Sequence, residues 1–261
     1  MKKTLSLLAV LMVAGVAATP AQAATHYVSG FGGVSWMQNI KTSDTYTWAA
    51  PHSNYTSDTD LGSGLALTGA IGCDYGSYRL EAEVGYQTNS VKSIALFDNG
   101  AANNQIPSGV TGYPRTNKAD MRGDISVLSL MGNGYYDFDL GGKVEFYATA
   151  GIGVAQVSLH DVTTVKTAVE APGSQGLVYP ANPDPGYNGH ETTLAWQVGA
   201  GLAAPISDNV KLDLRYRYFA TTDFTLADLG SGSVADSGGY TNSANTNLSS
   251  HSVLLGLRVD F

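Results

Sequence analysis

The sequence predicts an all-β chain, an eight-stranded antiparallel up-and-down transmembrane β-barrel with four long extracellular loops and three short periplasmic turns. Three observations carry that prediction. Segments of about ten residues alternate large apolar side chains with charged or very small ones, the connections between them alternate in length, and the chain opens with an export signal. No apolar run of helix-spanning length follows residue 23, so a membrane crossing after that point must use strands.

The start of the chain sets the compartment. Lys2 and Lys3 form a basic start, Leu5 to Ala18 is apolar, and Ala21-Gln22-Ala23 is a small-residue cleavage site. Residues 1–23 are therefore expected to be a signal peptide and residues 24–261 the barrel domain. Losing Lys2 and Lys3 leaves twelve basic against twenty-two acidic residues, a net charge of −10. That sign argues against nucleic acid as a partner and against electrostatic docking on anionic lipid. The single cysteine, Cys73, has no intrachain partner and reads as a small apolar strand residue.

The strands follow in order. Tyr78 to Gln87 sets Tyr78, Leu80, Ala82, Val84 and Tyr86 against Arg79, Glu81, Glu83, Gly85 and Gln87. Val210 to Ala220 repeats the split, with Leu212, Leu214 and Tyr216 against Lys211, Asp213, Arg215 and Arg217. Leu65 to Tyr75, Val144 to Val154 and Leu194 to Leu202 carry small residues on the second face. The last strand sets Val253, Leu255, Leu257, Val259 and Phe261 against Ser252, Gly256, Arg258 and Asp260, with Leu254 breaking the polar face. Tyr27 to Trp36 and Ile125 to Phe138 complete the eight, but glycine in one and apolar residues on both faces of the other leave their facing open. Each segment suffices for the ~9 to 11 residues a tilted strand needs to cross a bilayer.

Short connections lie near 74–77, 138–142 and 205–209, and long ones near 37–62, 88–121, 160–190 and 221–248. A soluble barrel would hold its apolar face inside, whereas here the alternate face holds the charges. Aromatics near strand ends are placed as two girdles, Trp36, Tyr86, Trp196 and Tyr218 toward the loops and Tyr78, Phe138, Phe146 and Phe261 toward the turns.

The strand patterns, the stretch Tyr78 to Tyr86, the segment Leu130 to Phe138 and the terminal Phe261 together resemble the opacity-protein and surface-antigen family of eight-stranded outer-membrane proteins. The resemblance covers residues 24 to 261 and is specific in strands and turns, not in the four loops. It implies an OmpA-like transmembrane barrel without the periplasmic peptidoglycan-binding domain. It also implies that Val253, Leu255, Leu257, Val259 and Phe261 form the signal read by the barrel-assembly machinery. Outer-membrane lipid and lipopolysaccharide are the expected surroundings.

The inward face is expected to hold an ionic network of Arg79, Lys211, Arg215, Arg217 and Arg258 against Glu81, Glu83, Glu145, Asp213 and Asp260, five of each sign. Unpaired charges in a lumen this narrow cost several kcal/mol each, so mutual pairing as a plug is the reading. The rival is a narrow polar channel lined by the same charges, if Gly151, Gly153, Gly199 and Gly201 leave a gap. No catalytic or cofactor site is expected. Ser250-His251-Ser252 brings Ser and His together only on opposite faces of a strand, and the histidines show no metal spacing. Three of the four loops are acidic, which disfavours heparin-like or nucleic-acid ligands and suits basic protein surfaces or bridging divalent cations. Tyr46, Trp48 and Tyr55 in the first loop are candidate contacts for a host or envelope protein, and loops of about 25 to 35 residues exceed what strand closure requires. The function expected is therefore non-enzymatic, envelope structure and surface interaction through the loops. A narrow porin is the alternative, and a lipid enzyme a third.

Overall fold

A computed structural model describes residues 24–46, 53–98, 115–139, 141–170, 177–180, 187–227 and 243–261. The proposed signal peptide and Trp48 lie outside the described residues. Twelve strands occur among those residues: β1 (Thr25–Met37), β2 (Ile40–Tyr46), β3 (Ser53–Asp74), β4 (Tyr78–Asp98), β5 (Arg115–Phe138), β6 (Glu145–Glu170), β7 (Leu177–Pro180), β8 (Tyr187–Pro205), β9 (Val210–Thr221), β10 (Phe224–Ala227), β11 (Ser243–Thr246) and β12 (Ser249–Asp260).

Eight of them close a ring. Antiparallel pairing runs β1-β12-β9-β8-β6-β5-β4-β3 and returns to β1, with Tyr27 opposite Asp260 on one side and Gly72 on the other. A closed ring leaves no unpaired strand edge, which a hydrocarbon environment demands. The turns use ordinary chemistry. Asp74 Oδ1 accepts from Gly76 N at 2.8 Å and Asp139 Oδ1 from Gly141 N at 2.9 Å, and both glycines take positive φ, 91° and 72°.

Side chains alternate as the period predicts. Val28, Val34, Leu65, Leu67, Leu80, Val84, Leu128, Leu130, Leu194, Leu212, Leu214 and Leu255 are exposed on the outer wall, and Ile152 reaches 76 %. The charged partners of that alternation face inside, where Arg79, Glu81, Glu83, Asp213, Arg215, Arg217 and Arg258 are buried. The two strands of open facing now have one: Tyr27, Phe31, Ser35 and Met37 point inward from β1, and Ile125, Val127, Met131, Asn133 and Tyr135 from β5. Both girdles form ring contacts, Tyr78–Tyr136 at 5.1 Å, Tyr136–Phe138 at 4.8 Å and Phe138–Phe146 at 5.3 Å toward the turns, and Trp196–Tyr218 at 5.4 Å toward the loops.

The strands run further than the sequence pattern implied, so the connections 37–62, 88–121 and 160–190 are in large part ladder. β4 has 21 residues, about twice the ~9 to 11 that cross a bilayer. Alternation beyond Tyr86 and Leu128 turns over to polar outside and apolar inside, a soluble-barrel pattern that a search for lipid-facing strands does not register. β2 and β7 add to β3 and β6 at these outer ends. Just past the last apolar row, register breaks occur at Leu61/Gly64 of β3, Ser90/Ser93 of β4, Arg122/Asp124 of β5 and Leu159/Val162 of β6. Such bulges bend and twist strands. Gly123 sits in one at φ 129°, where an added Cβ would lie 2.7 Å from Val162 Cα.

Candidate functional site

The barrel interior is layered, and β4 alone shows the order. From turn end to loop end its inward positions are Arg79, Glu81, Glu83, Gly85, Gln87, Asn89 and Val91, which runs from charge through amide to hydrocarbon.

At the turn end Arg79 makes a bidentate pair with Asp137, Nε to Oδ2 and Nη2 to Oδ1 both at 2.7 Å. Glu145 accepts from Lys211 Nζ at 2.5 Å and from Arg258 Nη2 at 2.7 Å, and Arg258 Nε lies 3.8 Å from Asp260. One layer up, Arg215 Nη1 donates to Glu83 Oε2 at 3.0 Å and stands 3.9 Å from Glu81, while Arg217 Nη1 is 3.6 Å from the other oxygen of Glu83. Glu81 collects Tyr27, Ser29, Asn133 and Tyr135, and Asp213 accepts from Tyr147. Rings complete the layer: Arg215 lies 4.0 Å over Phe31 and Arg79 4.4 Å over Tyr135. These buried charges are each held by an opposite charge, a hydroxyl or an amide, as burial requires.

All ten residues of the expected network therefore face one interior. Asp137 joins them and makes the acids six, a partner the sequence hid because the facing of β5 was open. Tyr27, Tyr135 and Tyr147 were missed too. Nothing in their local pattern separates a lumen tyrosine from a girdle tyrosine.

Inward glycines among the described residues lie against large neighbours. A Cβ on Gly72 would meet Tyr27 Cζ, one on Gly201 would meet Tyr147 Cζ, and one on Gly256 would meet the Phe31 ring. Gly151 is covered by Asn133, Gly153 by Met131 and Gly199 by Thr149. Each missing side chain is the seat of a large neighbour. Leu254 packs with Phe31 and Ala66 beside them.

Above the ions lies a polar belt, with Arg217 donating to Gln87 at 3.2 Å, Gln87 to Ser250 at 3.1 Å, and Ser35 to Asn89 at 2.9 Å. Above that, Met37, Leu61, Val91, Ile125, Val127, Val157, Leu159, Phe219, Phe224 and Leu248 form an apolar stopper. The sequence did not reveal this layer, because its residues come from seven strands and a connection and only closure of the ring gathers them.

The remaining expected residues lie elsewhere. Val253, Leu255, Leu257, Val259 and Phe261 line the exposed outer wall, and Phe261 N donates to His26 O at 2.8 Å. Tyr46 and Tyr55 fall on the paired strands β2 and β3, where Asp44 is opposite Tyr55 and Tyr46 opposite Ser53. His251 points outward to Tyr216 Oη at 2.6 Å and Gln38 Nε2 at 3.0 Å, while Ser250 and Ser252 are buried inside. One pairing went unread in the sequence: Ser126 Oγ is 2.8 Å from His160 Nε2, across 34 residues.

A closed eight-strand ring with hydrocarbon outside and paired ions inside defines a transmembrane β-barrel. The chain belongs to the outer membrane protein β-barrel domain family, whose model matches residues 6–261. It is thus an outer-membrane protein. Outer membrane protein PagN of Salmonella typhimurium is 26% identical over 99 residues, 38% of this chain and 36% of that relative, so the match spans about a third of the relative's length. Among solved structures, Neisserial surface protein A is 16% identical with a TM-score of 0.44, covering 92% of this chain and 100% of its own. The outer membrane protein OprG of Pseudomonas aeruginosa is 12% identical with a TM-score of 0.44, covering 91% and 96%.

Proposed function

We propose that this chain is a closed outer-membrane barrel that works from its surface: its lumen is structural, its termini are periplasmic, and its long connections face outward to meet a host or envelope protein. The observation that carries this reading is the interlock of inward glycines with rings, stacked beneath the apolar stopper. Ions crossing such a barrel would have to displace both a paired charge layer and a dry one. The lumen charges are each held by a neighbouring charge, hydroxyl or amide. The sheet continued by β2 to β7 beyond the last apolar row holds the connections on a stiff base, as an interaction surface needs. Lipopolysaccharide and outer-membrane lipid surround the wall, and the barrel-assembly machinery reads the strand ending in Phe261.

Single-channel recording of the refolded, heat-modifiable protein in a planar bilayer tests the closed lumen. A silent barrel is expected. Reproducible steps altered by neutralising Arg215 or Glu83 would return the reading to a narrow porin. Replacing Tyr46, Trp48 and Tyr55 together is expected to abolish partner binding without changing the heat-modifiable shift, and retained binding would clear the first connection of that role.

A further inference from the structure

The outer wall holds a constellation that the lumen reading does not use. Ser126 on β5 follows the exposed Leu128 and Leu130 along the outer face and occupies the first polar row beyond them. Across the ladder its neighbour on β4 is Thr88, directly above Tyr86 of the loop-side girdle. It therefore stands where hydrocarbon gives way to lipid headgroups. Ser126 Oγ is 2.8 Å from His160 Nε2; Ser126 is 7% exposed beneath the exposed His160.

We infer that Ser126 and His160 form a nucleophile–base pair acting on a carboxylic ester of a membrane lipid. With the ring proton on Nδ1, Nε2 accepts the Ser126 hydroxyl proton as Oγ bonds to the ester carbonyl carbon. The carbon–alkoxy bond breaks, and the alcohol leaves with the proton returned by His160. Water, deprotonated by the same nitrogen, then attacks the acyl-serine, releasing the fatty acid and restoring the hydroxyl. No oxidant or metal enters. The position selects the substrate, since an ester carbonyl lies at the junction of acyl chain and headgroup, the level that Ser126 occupies.

The test uses the full mature chain refolded in detergent micelles, with a fluorophosphonate as covalent probe and p-nitrophenyl laurate as ester. One adduct on the peptide carrying Ser126 is expected, lost in Ser126→Ala, with ester turnover falling about 100-fold or more in His160→Gln, the range for losing a general base. Ser158→Ala, across the ladder from Ser126, serves as the unchanged control. Heat-modifiability verifies folding of each variant. If Ser126→Ala misfolds, Ser126→Cys in a Cys73→Ala background keeps the test open: iodoacetamide must alkylate that thiol faster with His160 than with His160→Gln. A folded wild-type barrel without an adduct, an adduct that survives Ser126→Ala, or a thiol indifferent to His160 each overturns the assignment.

Discussion

Arg215 and Glu83, 132 residues apart in the chain, meet in mid-lumen with Nη1 donating to Oε2 at 3.0 Å, and neither side chain is more than 2% exposed. The pair couples β9 to β4 across the barrel, and Glu83 also faces Arg217 at 3.6 Å and accepts from Gln197 at 3.1 Å. One carboxylate thus balances two guanidinium groups in a buried layer.

Glu83→Gln keeps the shape and removes the charge, leaving Arg215 with Glu81 at 3.9 Å and Arg217 with amide neighbours. A loss of about 3 to 5 kcal/mol is expected, the range for breaking a buried pair by removing one partner. Urea titration of the barrel in lipid vesicles measures it, and Glu83→Gln combined with Arg217→Met is expected to lose less than Glu83→Gln alone. An unchanged midpoint in Glu83→Gln would mean that the lumen is wetter than its burial indicates.

Gly72→Ala tests the interlock. The new Cβ would lie 2.3 Å from Tyr27 Cζ, and that ring is fixed between Arg79 and Arg258. Overpacking of this kind costs about 1 to 3 kcal/mol. Gly69→Ala on the same strand meets nothing within 4 Å and is the matched control, expected near neutral. Equal effects at both positions would remove the argument that Gly72 is a seat.

Leu214→Arg places a charge on the outer wall near mid-strand, where Leu214 is exposed between Leu202 and Leu255. The expected cost is about 2 to 4 kcal/mol in bilayers, the range for arginine at the membrane midplane. An unchanged folding midpoint would overturn the facing of β9.

Deleting Phe261 separates recognition from folding. Its backbone N–H donates to His26 O and its ring lies 6.2 Å from the His26 ring, contacts at the barrel's end that add little to the ladder. Assembly in cells, read as heat-modifiable protein in the outer membrane, is expected to fall more than refolding in detergent. Equal losses in both would refute a role as an assembly signal.

The alternation of Tyr78 to Gln87 and Val210 to Ala220 was enough to name the strands, their outward faces and the charged set within. Period two is a local property, carried by each strand without its neighbours. The facing of Ile125 to Phe138 was not legible, because Ile125 and Val127 serve the stopper while Leu128 and Leu130 serve the lipid, and both demands select the same residue types. Asp137 was lost with that facing.

The sequence by itself determined that this chain crosses a membrane as eight strands, since each strand must show hydrocarbon to lipid whatever its partners are. Only the tertiary structure decided that inward glycines seat the lumen rings and that Ser126 meets His160. Those outcomes depend on register, which sets which glycine lies beside which ring and which hydroxyl beside which imidazole. Register belongs to the closed ring, not to any strand within it.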